Sequence, residues 1–141
     1  MSLTARLFLE GHKDADKGIK ILSCEYSFSQ DVDPLTNYVK SRVRAGLINL
    51  VLYSTDDAEI AQWMLHFTHK KNGKITFSGP GESGAPEKKK SLEFEDGILV
   101  NYHETFNEDT EMITNLSITA RKITLSPDAQ YEATWEFSEG D

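Results

Sequence analysis

Apolar and polar residues alternate along most of this chain, and that period of two most constrains its fold. The alternation is clearest over residues 19–28, where four apolar side chains are separated by polar ones: Leu22, Cys24, Tyr26 and Phe28. Side chains of a strand point alternately to its two faces, so we predict a half-buried strand with these four on one face. The acidic residues that follow predict an exposed loop.

Seven or eight strands are predicted in all. Besides residues 19–28, the pattern covers residues 3–9, 74–78, 92–106, 112–125 and 131–137. Residues 45–53 are almost continuously apolar, which predicts a strand covered on both faces. Within residues 92–106, Asp96-Gly97 is compatible with a tight hairpin turn or with a bulge in one long strand, and we favour the bulge.

One helix is predicted after this apolar strand. Asp56 and Glu59 have the spacing of a capping box, and Asn72-Gly73 is expected to end the helix. Its apolar stripe has the spacing i, i+3, i+4 and i+7 and consists of Ile60, Trp63, Met64 and Phe67. The sequence therefore predicts a mainly β fold, with two packed antiparallel sheets or a partly closed β-barrel and one covering α-helix.

Two segments break the periodic pattern. Residues 29–43 are too long for an ordinary connection, which is typical of a functional loop. Residues 79–90 are rich in glycine, proline and lysine and predict a flexible loop. We expect a single domain over residues 1–141, with a flexible tail from about residue 126.

Composition excludes several classes of function. The formal net charge of −8 argues against nucleic acid and anionic lipid as partners. No apolar run approaches the roughly 20 residues of a membrane helix, so no membrane insertion is expected. The first residues lack the apolar core of a cleaved secretory signal, and the single cysteine, Cys24, indicates folding in a reducing cytoplasm.

The sequence contains no pattern that predicts catalysis. His66 and His69 are close enough to share a face, but a zinc site needs further ligands. Cys24 lies on an apolar face, which favours a buried structural thiol. Residues 79–82 lack the Gly-Lys-Ser/Thr ending of a phosphate loop. We therefore expect no enzyme activity, no metal and no cofactor.

Several stretches resemble, in the same order, the Hcp (TssD) tube proteins of type VI secretion systems, in the form found in Bacteroidetes. Together they span roughly residues 3–125. They are residues 22–33, Ser54-Thr55-Asp56-Asp57, Trp63-Met64, residues 73–77, residues 92–96 and residues 118–123.

The resemblance implies a phage-tail-tube-like fold and a structural role. Members of this family form hexameric rings that stack into an inner tube, which a contractile sheath propels, tipped by a spike, to deliver effectors. The expected partners are therefore further copies of the chain, together with sheath, spike and effector proteins. Such a protein is cytoplasmic during assembly and is then secreted through the apparatus without a cleaved signal peptide.

The long loop resembles the extended loop with which family members make contacts within and between rings. We therefore expect six residues in or beside it to contribute to assembly: Gln30, Asp31, Asp33, Tyr38, Arg42 and Arg44. A β-barrel or sandwich module that binds a small ligand or a partner protein is the alternative function.

Overall fold

The computed structural model describes residues 3–12, 17–55, 57–66, 69–81, 86–109, 111–126 and 129–133. Within these ranges the chain forms ten strands and one helix. The strands are β1 (Thr4–Leu9), β2 (Ile19–Glu25), β3 (Phe28–Ser29), β4 (Arg44–Ala45), β5 (Ile48–Tyr53), β6 (Lys71–Pro80), β7 (Pro86–Asn107), β8 (Glu111–Thr119), β9 (Lys122–Leu125) and β10 (Ala129–Glu132). The helix α1 is Glu59–Leu65.

Six strands close a barrel. They pair in the order β1-β2-β5-β8-β7-β6, and β6 pairs again with β1, every pair being antiparallel. Strand β9 pairs with the first half of β7, and β10 adds to β9 at the edge of the sheet. Strands β3 and β4 form a separate two-stranded sheet. The mainly β prediction is confirmed, with the barrel fully closed.

The barrel interior holds the core. Its fully buried side chains come from strands all around the barrel and are mostly aliphatic: Leu7, Leu9, Ile48, Leu50, Leu52, Ile75, Leu92, Phe94, Leu116, Ile118 and Ile123. Burial of one such side chain stabilises the fold by about 1.5–3 kcal/mol. Helix α1 contacts β7 and adds Ile60 and Trp63 to the same cluster, which confirms the inner part of the predicted stripe.

A β-bulge changes the inward face of β2. Ile19 and Ile21 are buried, whereas Leu22 is 41% exposed. The pairing with β5 shifts register between Ile21 and Ser23, so the side chains after the bulge exchange faces. Cys24 then packs against the core, as do Tyr26 and Phe28 beyond the strand. The prediction that Leu22 shares their face is wrong.

Strand β5 is covered on one face only. Ile48, Leu50 and Leu52 point into the core, but Val51 is half-buried and Tyr53 is 42% exposed. The prediction of cover on both faces is wrong for the single subunit, because the second face of β5 is the outer wall of the barrel.

Helix α1 is shorter than its sequence predicts. It begins after Ala58, which makes no side-chain cap hydrogen bond, and it ends at Leu65. The predicted capping residue Asp56 and the stripe residue Phe67 lie outside the described residues. Asn72-Gly73 does not end the helix, because these residues belong to β6, where Gly73 pairs with Phe94. Long-range strand pairing overrides the local helix-end signal.

The β6–β7 hairpin is longer than predicted. Residues expected in a flexible loop continue both strands, and Gly79 pairs with Glu87 and Pro80 with Pro86. The loop prediction is therefore wrong for these residues, while residues 82–85 lie outside the described ranges. Further along, β7 runs through Asp96-Gly97 and shifts its register with β6 there, so the favoured bulge is confirmed.

The predicted strand over residues 112–125 is divided. It breaks at Ala120-Arg121 into β8 and β9, because Arg121 is held at a bend. The Arg121 N–H donates to the carbonyl of Glu95 (3.1 Å), and its Nε donates to Asp96 Oδ2 (2.7 Å). The last predicted strand is present as β10, while Trp135 and Phe137 lie outside the described residues.

Substitution of Gly73 by alanine should destabilise the barrel. A Cβ at this position would lie 2.4 Å from Phe94 Cζ, and the ring of Phe94 is buried in the core. Such overpacking costs about 1–3 kcal/mol, so urea unfolding should show a loss of that size. Gly46→Ala is the matched control, since its Cβ would meet only the Ser27 hydroxyl, on an exposed side chain that can rotate away. Equal losses in the two variants would contradict the packing argument.

Candidate assembly surface

Residues 30–43 project from the barrel as an ordered ribbon, which we call the arm. Its base is the β3–β4 sheet, in which Phe28 pairs with Ala45 and Ser29 with Arg44. The sequence predicted a loop without sustained period, and no regular strand is assigned within the arm. Hydrogen bonds between its two sides nevertheless give it a defined path.

Three hydrogen bonds join the two sides of the arm. The N–H of Asp31 donates to Ser41 Oγ (2.8 Å), and the N–H of Lys40 donates to the carbonyl of Asp31 (2.9 Å). Val32 and Val39 form an antiparallel bridge. The N–H of Asp33 donates to the carbonyl of Tyr38 (2.8 Å). Because these bonds satisfy backbone groups along both sides, the arm can stay extended without packing on the barrel.

Asp33 organises the tip of the arm. Its Oδ1 accepts the N–H of Leu35 (2.8 Å) and the N–H of Thr36 (3.4 Å), and its carbonyl accepts the N–H of Asn37 (2.7 Å). Asn37 has φ 63°, a left-handed conformation that asparagine tolerates. This Asx turn reverses the chain and presents the side chains of Leu35 and Tyr38 outward.

Most of the predicted assembly residues brace the arm itself. Arg44 forms an ion pair with Asp31, and Gln30 Nε2 donates to the carbonyl of Ser41 (3.3 Å). Both members of the ion pair are more than half exposed, so it adds at most about 1 kcal/mol. Arg42 differs: it is exposed, and within the described residues its guanidinium forms no ion pair or hydrogen bond.

The arm also carries exposed apolar side chains that the sequence analysis missed, apart from Tyr38. Leu35 is 93% exposed and Tyr38 is 77% exposed. Val32, Val39 and Val43 are each more than two-fifths exposed. These residues follow no strand or helix period in the sequence. Only their presence in an otherwise polar loop could have indicated that they form a contact surface. Grouped exposed apolar side chains are typical of a protein-contact surface.

An apolar groove of about 260 Å³ lies beside the base of the arm. Its walls come from β3, the end of the arm, β9 and β10, and include Phe28, Val43, Leu125 and Tyr131. The rings of Phe28 and Tyr131 are 5.7 Å apart and tilted by 55°. Strand β10 has no neighbour on its outer side among the described residues, so an open strand edge adjoins the groove.

The residues considered for catalysis have structural surroundings. Cys24 is packed against the core, and burial raises the pKa of its thiol to about 11, which suppresses the nucleophilic thiolate. His66 Nδ1 lies 2.7 Å from the carbonyl of Gln62, one turn earlier. The described residues thus place none of these groups beside an activating partner.

A closed six-stranded β-barrel with one short helix, a braced arm and an apolar groove places the protein in the class of small, mainly β barrel proteins. The family comparison agrees. The model of the hemolysin coregulated protein Hcp (TssD) family matches residues 1–136, so the chain belongs to that family. It is a family of structural tube proteins of type VI secretion systems, and the resemblance noted in the sequence is confirmed.

Solved structures share the fold. Hcp1 from Flavobacterium johnsoniae superposes with a TM-score of 0.78 at 23% identity, covering 92% of this chain and 98% of that one. Hcp1 from E. coli EAEC 042 has a TM-score of 0.73 at 10% identity, with 96% and 99% coverage. The secreted protein Hcp3 from Pseudomonas aeruginosa has a TM-score of 0.66 at 11% identity, also with 96% and 99% coverage.

None of the curated proteins compared with this chain matches it. In the described part of the chain, no helix has the length and apolar character needed to span a membrane.

Alkylation of Cys24 should be slow in the folded protein. With the pKa raised from 9.0 to about 11, the thiolate fraction near pH 8 falls roughly 100-fold. The more basic thiolate is the better nucleophile, so the expected net slowing is about tenfold. Iodoacetamide labelling followed by mass spectrometry would measure it, with the urea-unfolded chain as control. The folded-state rate should still rise between pH 9 and 11, and a plateau by pH 9 would contradict the burial argument.

Replacement of Asp33 by alanine should loosen the tip of the arm alone. The variant loses the acceptor for the N–H groups of Leu35 and Thr36, each bond being worth about 1 kcal/mol. Hydrogen exchange at these amides should accelerate about fivefold, while the barrel amides stay unchanged. Lys40→Ala is the matched control, because its backbone bond to Asp31 is kept. Identical exchange at the tip in both variants would disprove the role of Asp33.

Proposed function

We propose that this chain is the subunit of a type VI secretion inner tube, in which hexameric rings close by contacts between copies and then stack. The arm carries this proposal, because hydrogen bonds brace it while Leu35 and Tyr38 are 93% and 77% exposed. An isolated soluble domain gains nothing from holding Leu35 and Tyr38 in water. A second copy that covers them gains the free energy of burial.

Ring formation by head-to-tail contacts needs two different complementary surfaces on each subunit. This chain offers the arm as one surface. The second is the groove at the arm base with the open edge of β10, or the outer wall of β5, where Tyr53 is 42% exposed. Strand β5 is almost continuously apolar, yet one of its faces is uncovered in the single subunit. A neighbouring copy that covers this face in the ring would explain the apolar residues there.

Charge supports a role for the arm in contact between copies. The chain is acidic, with a formal net charge of −8, so like copies repel one another. Arg44 is paired with Asp31 within the subunit, whereas Arg42 forms no such pair among the described residues. Arg42 and Lys40 are therefore the arm cations that could meet an acidic surface on the next copy. Of the six predicted residues, Tyr38 and Arg42 would make contacts, and the others would hold the arm in shape.

The remaining partners follow from membership of the family. The sheath, the spike and effector proteins would meet the assembled tube, which is built in the cytoplasm and then delivered outside the cell without a cleaved signal peptide. The subunit itself would act without enzyme activity or cofactor. The apolar groove of about 260 Å³ is smaller than the roughly 300–1,000 Å³ of typical ligand pockets. A larger depression of about 530 Å³ lies over β1, β6 and β7, and charged residues such as Glu10, Lys74 and Glu93 line it, so it lacks the mostly apolar lining that the binding-module alternative needs.

The state of assembly tests the proposal. Purified protein should elute near six times the 15.9 kDa of one chain, and negative-stain images should show annuli. Leu35→Asp should raise the concentration needed for assembly about tenfold or more, since a leucine of this size gains 1.5–3 kcal/mol on burial. Sedimentation velocity over a concentration series would measure the change.

Leu65→Asp is the matched control, because Leu65 is likewise a largely exposed leucine, at 79%, but belongs to the last turn of α1 and not to the arm. It should assemble as the unmodified chain does. A chain that stays monomeric at high concentration would overturn the proposed function. Rings that form equally well with Leu35→Asp would remove the arm tip from it.

A further inference from the structure

Three side chains that are distant in the sequence meet beside the start of α1. His12 follows β1, and Asp57 and Glu59 come just before and within the first turn of the helix. His12 Nε2 lies 3.4 Å from Asp57 Oδ2 and 3.7 Å from Glu59 Oε1. The side chain of His12 is 1% exposed, that of Asp57 is 15% exposed and that of Glu59 is 38% exposed.

Backbone contacts hold this cluster in place. The second carboxylate oxygen of Asp57, Oδ1, accepts the N–H of Glu59 at 2.9 Å, which directs Oδ2 towards His12. The N–H of His12 donates to the carbonyl of Leu9 at 3.1 Å and fixes the turn that carries the ring. Outer contacts that orient ligands in this way are a general feature of metal sites.

The geometry and charge of the cluster suit a divalent transition metal. The three donor atoms all lie within 4.8 Å of one another. Zinc bonds of about 2.0–2.2 Å in tetrahedral geometry place neighbouring donors about 3.3–3.5 Å apart, close to the two distances observed from His12. Imidazole nitrogen and carboxylate oxygen are both ordinary ligands of Zn²⁺, and one neutral imidazole with two carboxylates would balance the two charges of the ion.

A cavity of about 290 Å³ meets the cluster at Glu59. Its walls also include His66, His69 and the cationic Lys71, whereas His12 and Asp57 do not line it. Glu59 thus belongs both to the buried cluster and to an opening through which an ion and its water can enter. The sequence analysis considered only His66 and His69, because nothing local connects His12 with carboxylates on another element.

We propose that His12 Nε2, Asp57 Oδ2 and Glu59 Oε1 bind one Zn²⁺ ion, whose fourth position faces this cavity and takes water. The ion would tie the segment after β1 to the start of α1. This goes beyond the tube function and does not depend on it, because all three ligands come from one chain.

Metal titration of the full chain, without an affinity tag and after treatment with a chelator, tests the proposal. Co²⁺ should bind with one equivalent per chain and give the intense visible absorption of a four-coordinate ion, and Zn²⁺ should displace it. Glu59→Gln and His12→Gln should each weaken Zn²⁺ binding at least tenfold in calorimetry. His103→Gln is the matched control, since His103 is exposed on β7, and it should bind as the unmodified chain does.

The variant His66→Gln/His69→Gln separates the proposed site from casual binding by surface histidines. One-equivalent binding that survives this double substitution and is lost with Glu59→Gln supports the site. Binding that is lost in the double variant but unchanged by Glu59→Gln overturns the proposed site. The absence of any Zn²⁺ binding at 100 μM also overturns it. If His12→Gln fails to fold, the result for Glu59→Gln decides the test. The Glu59 side chain is partly exposed, so its substitution should leave the fold intact.

Discussion

The bend of β7 at Asp96-Gly97 is the constraint on which the rest of the molecule depends. The first half of this strand pairs with β6 and β9, and its second half pairs with β8. The two halves of β7 therefore run in different directions. Because of this bend, β6 and β8 can pair with opposite sides of β7 and close the barrel. A straight strand of 22 residues would instead extend beyond its partners as an open sheet.

Two kinds of contact stabilise the bend. On the inner side the ring of Phe94 fits between Gly73 and Gly97, and a Cβ at either glycine would come within 3 Å of the ring. On the other side Arg121 reaches Asp96 and Glu132, and its N–H donates to Glu95. The bend thus joins β6, β7 and β10 through one aromatic ring and one guanidinium. Because the closed barrel itself has no free edge, the edge strand among the described residues is β10. In the proposed ring, this edge and the arm would be the sites of contact between copies.

The predictable part of the fold is the part determined by local periodicity. Alternation identified β1 and most of β8, a near-continuous apolar run identified β5, and the stripe at Ile60 and Trp63 identified the buried face of α1. The wrong predictions occur where pairing with a distant strand decides the outcome. The bulge that turns Leu22 outward is a matter of register with β5, and residues 71–73 join β6 because β7 is there to pair with them. Neither fact is contained in a short window of sequence.

The same distinction applies to the candidate site. The arm could be recognised from the sequence as a long loop of mixed charge, and its polar residues could be named as a group. Their roles could not be assigned, because the pairing of Asp31 with Arg44 and the turn made by Asp33 exist only once the two sides of the arm have met. These contacts divide the arm residues into two groups. The bonds among its polar residues fix its shape, and they leave Leu35 and Tyr38 as the groups that gain most from a partner. Polar side chains satisfied within the subunit have little left to gain at an interface, so apolar contact would hold copies together, while Arg42 would select where the arm docks.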